Sequence, residues 1–111
     1  TTGHALELFY RKKSHGEFVL IGMFYELYIA EKLNICGGQY AEDIKNLILC
    51  VLKKIPVYEN IEEAAAYAVY DKKNEDGNVS LIVPKCVGGC AEIKLSLSEY
   101  TAFLKECAKK L

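Results

Sequence analysis

The sequence carries no excess of charge of either sign: 14 lysines and arginines stand against 15 aspartates and glutamates, a formal net charge of −1. A phosphate backbone is held by a concentrated basic face, so nucleic acid is not an expected partner. No apolar run approaches the roughly 18 residues that cross a bilayer. Glu26, Glu31 and Lys32 break the most hydrophobic stretch, and no membrane partner is expected. Full disulfide pairing is also missing, because the five cysteines (Cys36, Cys50, Cys86, Cys90 and Cys107) are odd in number. With Cys50 and Cys107 set in apolar helical patterns, they read as reduced thiols of a cytoplasmic protein. Neither an initial methionine nor a signal peptide is present, which suggests a fragment or a processed product. Repeats, low-complexity tracts and linkers are absent too. What is there, 51% hydrophobic and 26% charged over 111 residues, makes one ordinary globular domain, small for an enzyme that carries a cofactor.

Periodicity assigns mostly helices. Ala5, Leu6, Phe9 and Tyr10 recur at helical spacing and predict a short helix ahead of Arg11-Lys12-Lys13. A loop through Lys13 and Ser14 leads to the longest helix, expected over 15–33. Its stripe is Val19, Met23, Leu27, Ala30 and Leu33. Phe18, Leu20, Ile21, Phe24 and Ile29 widen that stripe nearly all round, as in a central, buried helix. Asn34 and Gly37-Gly38 end it. A second long helix is expected over 40–54, with Ile44, Leu47, Ile48, Val51 and Leu52 inward and Pro56 marking its end. Asn60, three positions before Glu63, caps a third helix reaching about residue 70, where Ala64, Ala65, Ala66 and Ala68 allow close packing. Residues 71–78 are a polar loop. The β-branched run 79–83 and the alternating run 91–95 form a small hairpin across a glycine turn. Ser96 and Glu99 make a capping box that opens the last helix, which carries Tyr100, Phe103, Leu104, Cys107 and Leu111. The fold class is mainly α with one small β-hairpin.

Candidate chemistry centres on the two histidines, His4 in Gly3-His4-Ala5-Leu6-Glu7 and His15 in Ser14-His15-Gly16-Glu17. Imidazole ligates zinc and titrates near neutrality, so both are candidates for metal binding or proton transfer, although eleven residues apart fits no compact metal motif. By residue type alone, His15 also reads as a helix-start residue, His4 as a polar helix residue, and Lys72 and Lys73 as solvated loop charge. Cys86 and Cys90 have no second pair to complete a tetrahedral site; they read as small apolar flanks of the glycine turn. Tyr25 and Tyr28 read as packing.

Taken in order, GHALE, SHGE followed by FVLIGM, the DKKN loop with Gly77, and VSLIVP followed by VGG resemble the C-terminal domain of 3-dehydroquinate synthases, of the sugar-phosphate cyclase superfamily. The likeness runs over essentially the whole chain. Iron-containing alcohol dehydrogenases and glycerol dehydrogenases share the overall fold and an HG motif, but the DKK loop leading into the hairpin favours the cyclase branch. The resemblance implies the helical C-terminal domain of the dehydroquinate synthase-like fold. Residues 1–111 would form the metal- and substrate-binding domain, and an NAD-binding domain would lie upstream. It implies conversion of a seven-carbon sugar-acid phosphate, 3-deoxy-D-arabino-heptulosonate 7-phosphate, to 3-dehydroquinate with loss of phosphate. That is a lyase step of the shikimate pathway to aromatic amino acids, in which NAD takes and returns a hydride and zinc or cobalt polarises the hydroxyl being oxidised.

Carried over by motif, His15 matches a metal ligand. His4 matches the second histidine of the pattern GHxxGHxxE, a catalytic residue that lies at the substrate phosphate and assists proton transfer. Lys72 or Lys73 would bind that phosphate with a compact ammonium, and sequence does not separate the two. Glu17 reads either as a carboxylate supporting the metal histidine or as one placed at the helix start. The remaining zinc ligands, a histidine four residues before His4 and a glutamate, would lie upstream. The 111 residues alone are therefore expected to be inactive and to bind neither metal nor NAD tightly. Two features depart from the family pattern: the loop between GHALE and HGE is about one residue short, and Phe18 stands where a small residue is usual, beside the metal histidine. Family members are commonly homodimers, through contacts that need not lie in this part, and the sequence leaves the oligomer open. Two further readings stay open: a cyclase of the inosose or valiolone synthase type, and a non-catalytic helical interaction module. A module would have closed or repurposed the face around His4, His15 and the DKK loop, which an enzyme domain leaves as an open half-cleft.

Overall fold

A computed structural model describes residues 2–11, 13–56, 58, 60–70, 78–86 and 88–111. Helix α1 spans Thr2–Tyr10, α2 His15–Lys32 and α3 Gly38–Leu52, and α4, Ile61–Ala65, tightens into a 3₁₀ turn over Ala66–Tyr70. Strands β1, Asn78–Cys86, and β2, Gly89–Ser96, pair antiparallel, with Val79 opposite Leu95 and Leu81 opposite Ile93; α5, Leu97–Lys109, follows directly. The described residues are thus mainly helical with one two-stranded hairpin, as the sequence implies. None of their helices is long and apolar enough to cross a membrane.

Local signals set the helix ends. At α5 the expected capping box is formed: Glu99 N donates to Ser96 Oγ at 3.1 Å, and Ser96 N donates to Glu99 Oε1 at 3.2 Å. The same device opens α2, where Glu17 N donates to Ser14 Oγ at 3.2 Å and Ser14 N to Glu17 Oε1 at 3.4 Å. Ser14, read from sequence as loop, is the cap of that helix. Asn60 departs from expectation. Its side chain makes no cap bond, and its Oδ1 accepts from the Tyr10 hydroxyl at 3.1 Å instead. The helix starts where expected but is α-helical for only 5 residues.

Helix α2 is the centre of the core. Phe18, Ile21, Tyr25, Leu27 and Ile29 are all fully buried on it, and α1, α3, α5 and β1 pack around it. The stripe expected to face inward is corrected in part: Leu27 and Ala30 are buried, whereas Val19, Met23 and Leu33 are exposed. A helix apolar nearly all round does not encode which face its neighbours take. On α3 Ala41 and Ile48 are buried, and Leu47 and Val51, expected inward, are 63% and 66% exposed. The inward-facing polar residue is Lys45, whose ammonium donates to Glu31 Oε1 at 3.0 Å and lies over the rings of Phe24 and Tyr28. Cys50, expected in an apolar pattern, is exposed on the same helix. Exposed leucine and valine one turn apart predict self-association of the chain. Light scattering over a dilution series should show mass rising with concentration; a monomer throughout would count against it.

Helix α1 is anchored at both ends. Thr2, fully buried, shares a 2.8 Å hydrogen bond between its hydroxyl and that of Tyr100 on α5. At the other end Tyr10 stacks on Tyr58 with ring centroids 4.0 Å apart. Burial, helped by Tyr58 and the charges of Glu62 and Glu63, pushes the Tyr10 hydroxyl up to about 12.

All five thiols are free; Cys36 and Cys107 are buried, and Cys50, Cys86 and Cys90 are exposed. Burial pushes the Cys107 thiol up to about 12, so only the exposed three should alkylate quickly in the folded chain, as mass spectrometry would count. The neutral thiol is the form the fold favours. Its contribution is fully present below the unfolded pKa of about 8.5 and is lost as pH rises from there toward the folded value. The urea midpoint should therefore fall above about pH 8.5, and the fall should be shallower in Cys107→Ala.

Candidate functional site

The site is built where α1 and α2 run back to back. Arg11 closes α1 in a left-handed conformation (φ 54°), its N–H donating to Glu7 O at 3.2 Å, and the capped Ser14 opens α2. Such a short reversal makes the two helices antiparallel neighbours. At their crossing Gly22 and Gly3 meet: a Cβ on Gly22 would press on Gly3 N and lie 2.6 Å from Gly3 Cα, and one on Gly3 would lie 2.7 Å from Phe18 O. Only glycines permit that approach.

The crossing carries the Glu7 side chain to the first residue of α2. His15 Nδ1 lies 2.9 Å from Glu7 Oε1. The His15 side chain is 74% exposed and that of Glu7 30%. His4, also exposed, precedes Glu7 by three positions and so shares its face of α1. On α2 the exposed Val19 and Met23 continue from His15 at intervals of four. His4, Glu7, His15, Val19 and Met23 thus edge one open surface. An ionised carboxylate can only accept, so the imidazole donates its Nδ1–H to Glu7, and Nε2 has no partner among the described residues. That donor chemistry fits a divalent metal: histidine ligands commonly present one nitrogen to the metal while the other ring N–H is held by a carboxylate.

The structure brings His15 together with Glu7, a residue given no role by sequence. The signal lay in the closing glutamate of GHALE, but its use depends on the α1–α2 crossing. Among the described residues no hydrogen bond joins His4 to His15, and no group of three His, Cys, Asp or Glu could hold a metal. Lys72 and Lys73 lie outside the described residues. Of the two readings of Glu17, the geometry favours the helix start, since its carboxylate is engaged by Ser14, with Lys13 Nζ at 3.8 Å. Phe18 is buried in the core, which absorbs the large residue with the Glu7–His15 bond in place. Cys86 and Cys90 flank the hairpin turn, where Pro84 opposes Cys90 and Gly89 opposes Cys86.

Comparison with known proteins agrees with the family resemblance. The family model described as the 3-dehydroquinate synthase C-terminal region matches residues 1–74. The 3-dehydroquinate synthase of Alkaliphilus metalliredigens is 33% identical over 111 residues, covering 94% of this chain and 30% of that protein. That of Dictyoglomus turgidum is 38% identical over 90 residues, covering 79% and 25%. The crystal structure of 2-deoxy-scyllo-inosose synthase complexed with carbaglucose-6-phosphate, NAD+ and Co2+ has the same fold, with a TM-score of 0.75. It is 22% identical, and the match covers 98% of this chain and 32% of that one. The chain thus spans about 30% or less of the length of the two curated relatives. With the family model matched over two thirds of its residues, the chain belongs to the 3-dehydroquinate synthase C-terminal domain family.

Proposed function

We propose that residues 1–111 serve as the metal- and substrate-binding domain of a cytoplasmic 3-dehydroquinate synthase, acting on 3-deoxy-D-arabino-heptulosonate 7-phosphate together with an NAD-binding part. The observation that carries this reading is the Glu7–His15 pair on an open face, within the segment matched by the family model. His15 would hold a zinc or cobalt ion through Nε2, with its ring kept in place by Glu7. When bound, the metal supplies Lewis-acid polarisation of a substrate hydroxyl and NAD accepts the hydride. The exposed ring of His4, on the same face of α1, is available to lie against the substrate phosphate and to pass a proton at a ring nitrogen. Lys72 or Lys73 would place an ammonium on that phosphate.

One ligand does not make a catalytic metal site, so the remaining donors must come from outside these residues and the isolated chain should be inactive. The open, partly apolar face around His15 is what a domain that docks against more protein would present. The inosose synthase shares the fold at 22% identity, while the relatives at 33% and 38% are dehydroquinate synthases, which favours dehydroquinate as product.

The test is phosphate release. The native protein, captured from its source with an antibody against this chain, should release phosphate from 3-deoxy-D-arabino-heptulosonate 7-phosphate only with NAD and zinc or cobalt present. The 111-residue chain should release none. No release by the native protein would overturn the reading, and release by the isolated chain would overturn the assignment of the missing donors.

A further inference from the structure

We infer that Glu7 is a positioning residue: by accepting the Nδ1–H of His15 across the α1–α2 crossing, it fixes that imidazole in the tautomer whose Nε2 lone pair is free for a divalent metal. The metal part of this inference rests on the function proposed above. The tautomer part rests on geometry alone.

The 2.9 Å contact joins two helices whose separation is not adjustable, because Gly3 and Gly22 hold their backbones in contact. Glu17, two residues from His15, is occupied at Ser14 and does not compete for the ring. Among the described residues Glu7 pairs with no lysine or arginine, and its Oε1 is held at the imidazole. A solvent-facing imidazole without such a partner samples both tautomers and several ring orientations. An exposed pair of this kind adds little to stability. Carboxylates that hold a ligating histidine nevertheless change metal affinity by about 10–100-fold, because they raise ligand basicity and remove the cost of orienting the ring. The contact therefore matters for readiness to bind a metal more than for holding the fold.

Two measurements test it without turnover. In the ¹⁵N-labelled chain, at a pH where the rings are neutral, long-range ¹H–¹⁵N correlation separates a protonated ring nitrogen from a bare one. His15 should show Nδ1 protonated and Nε2 bare, and Glu7→Ala should return it toward the Nε2–H form that free imidazole side chains favour. A wild-type His15 already in the Nε2–H form, or a tautomer ratio that Glu7→Ala leaves unchanged, would overturn the inference. In the protein at its native length, a Co2+ titration followed by visible absorption should show Glu7→Ala weakening binding by about 10–100-fold; unchanged affinity would overturn it. The two proposals fail separately. A protein that binds Co2+ with the expected Glu7 dependence yet releases no phosphate contradicts only the proposed reaction, and a wrong tautomer contradicts only the role of Glu7.

Discussion

Gly22→Ala is expected to lower the stability of the chain by up to about 2 kcal/mol, with a fall in melting temperature of roughly 5 °C for each kcal/mol. Two effects oppose each other. Alanine in a helix interior is favoured over glycine by up to about 1 kcal/mol. The added methyl, however, would press on Gly3 N, lie 2.6 Å from Gly3 Cα and approach Thr2 C to 3.2 Å. All three atoms are backbone, so no side chain can turn aside, and overpacking of this kind costs about 1–3 kcal/mol. The packing term wins, α1 is pushed off α2, and Glu7 is drawn away from His15. Gly16→Ala is the control: nothing lies within 4 Å of a Cβ there, and the same propensity gain should leave the melting temperature unchanged or raised. Circular dichroism melting of the two variants checks both signs. A Gly22→Ala chain as stable as wild type would show that the helices do not cross at these glycines.

His15→Ala should separate function from stability. In the native-length protein, loss of the ligand itself should reduce metal affinity and phosphate release by more than the 10–100-fold that loss of a supporting carboxylate causes. In the 111-residue chain the same substitution removes a largely exposed ring and one exposed hydrogen bond to Glu7, which shifts stability by no more than about 0.5 kcal/mol. A variant that keeps full activity would remove His15 from the site. One that unfolds the chain would make it a structural residue.

What was legible in the sequence was local. The Ser96–Glu99 box and the alternation that makes the hairpin each depend on residues a few positions apart, and both are formed as read. The Ser14–Glu17 box is equally local and lies within SHGE, on either side of the histidine. Burial on α2 and α3 was not legible, because helices with apolar residues on several sides do not specify which face their neighbours cover. Lys45 takes an inward place on α3 only because Glu31 on α2 waits for it. Asn60 failed as a cap because Tyr10, 50 positions earlier, claims its oxygen. The site divides the same way. Motifs led to His4 and His15, but Glu7 acquires its partner only through the contact of Gly3 with Gly22.

The most direct test of the central claim, that this chain works as one part of a larger synthase, is the size of the native polypeptide on an immunoblot of its source cells. The Alkaliphilus metalliredigens synthase, of which the matched segment covers 30%, predicts a band about three times the mass of these 111 residues. A band at the mass of the 111 residues themselves would contradict the claim and turn attention from catalysis to a binding partner.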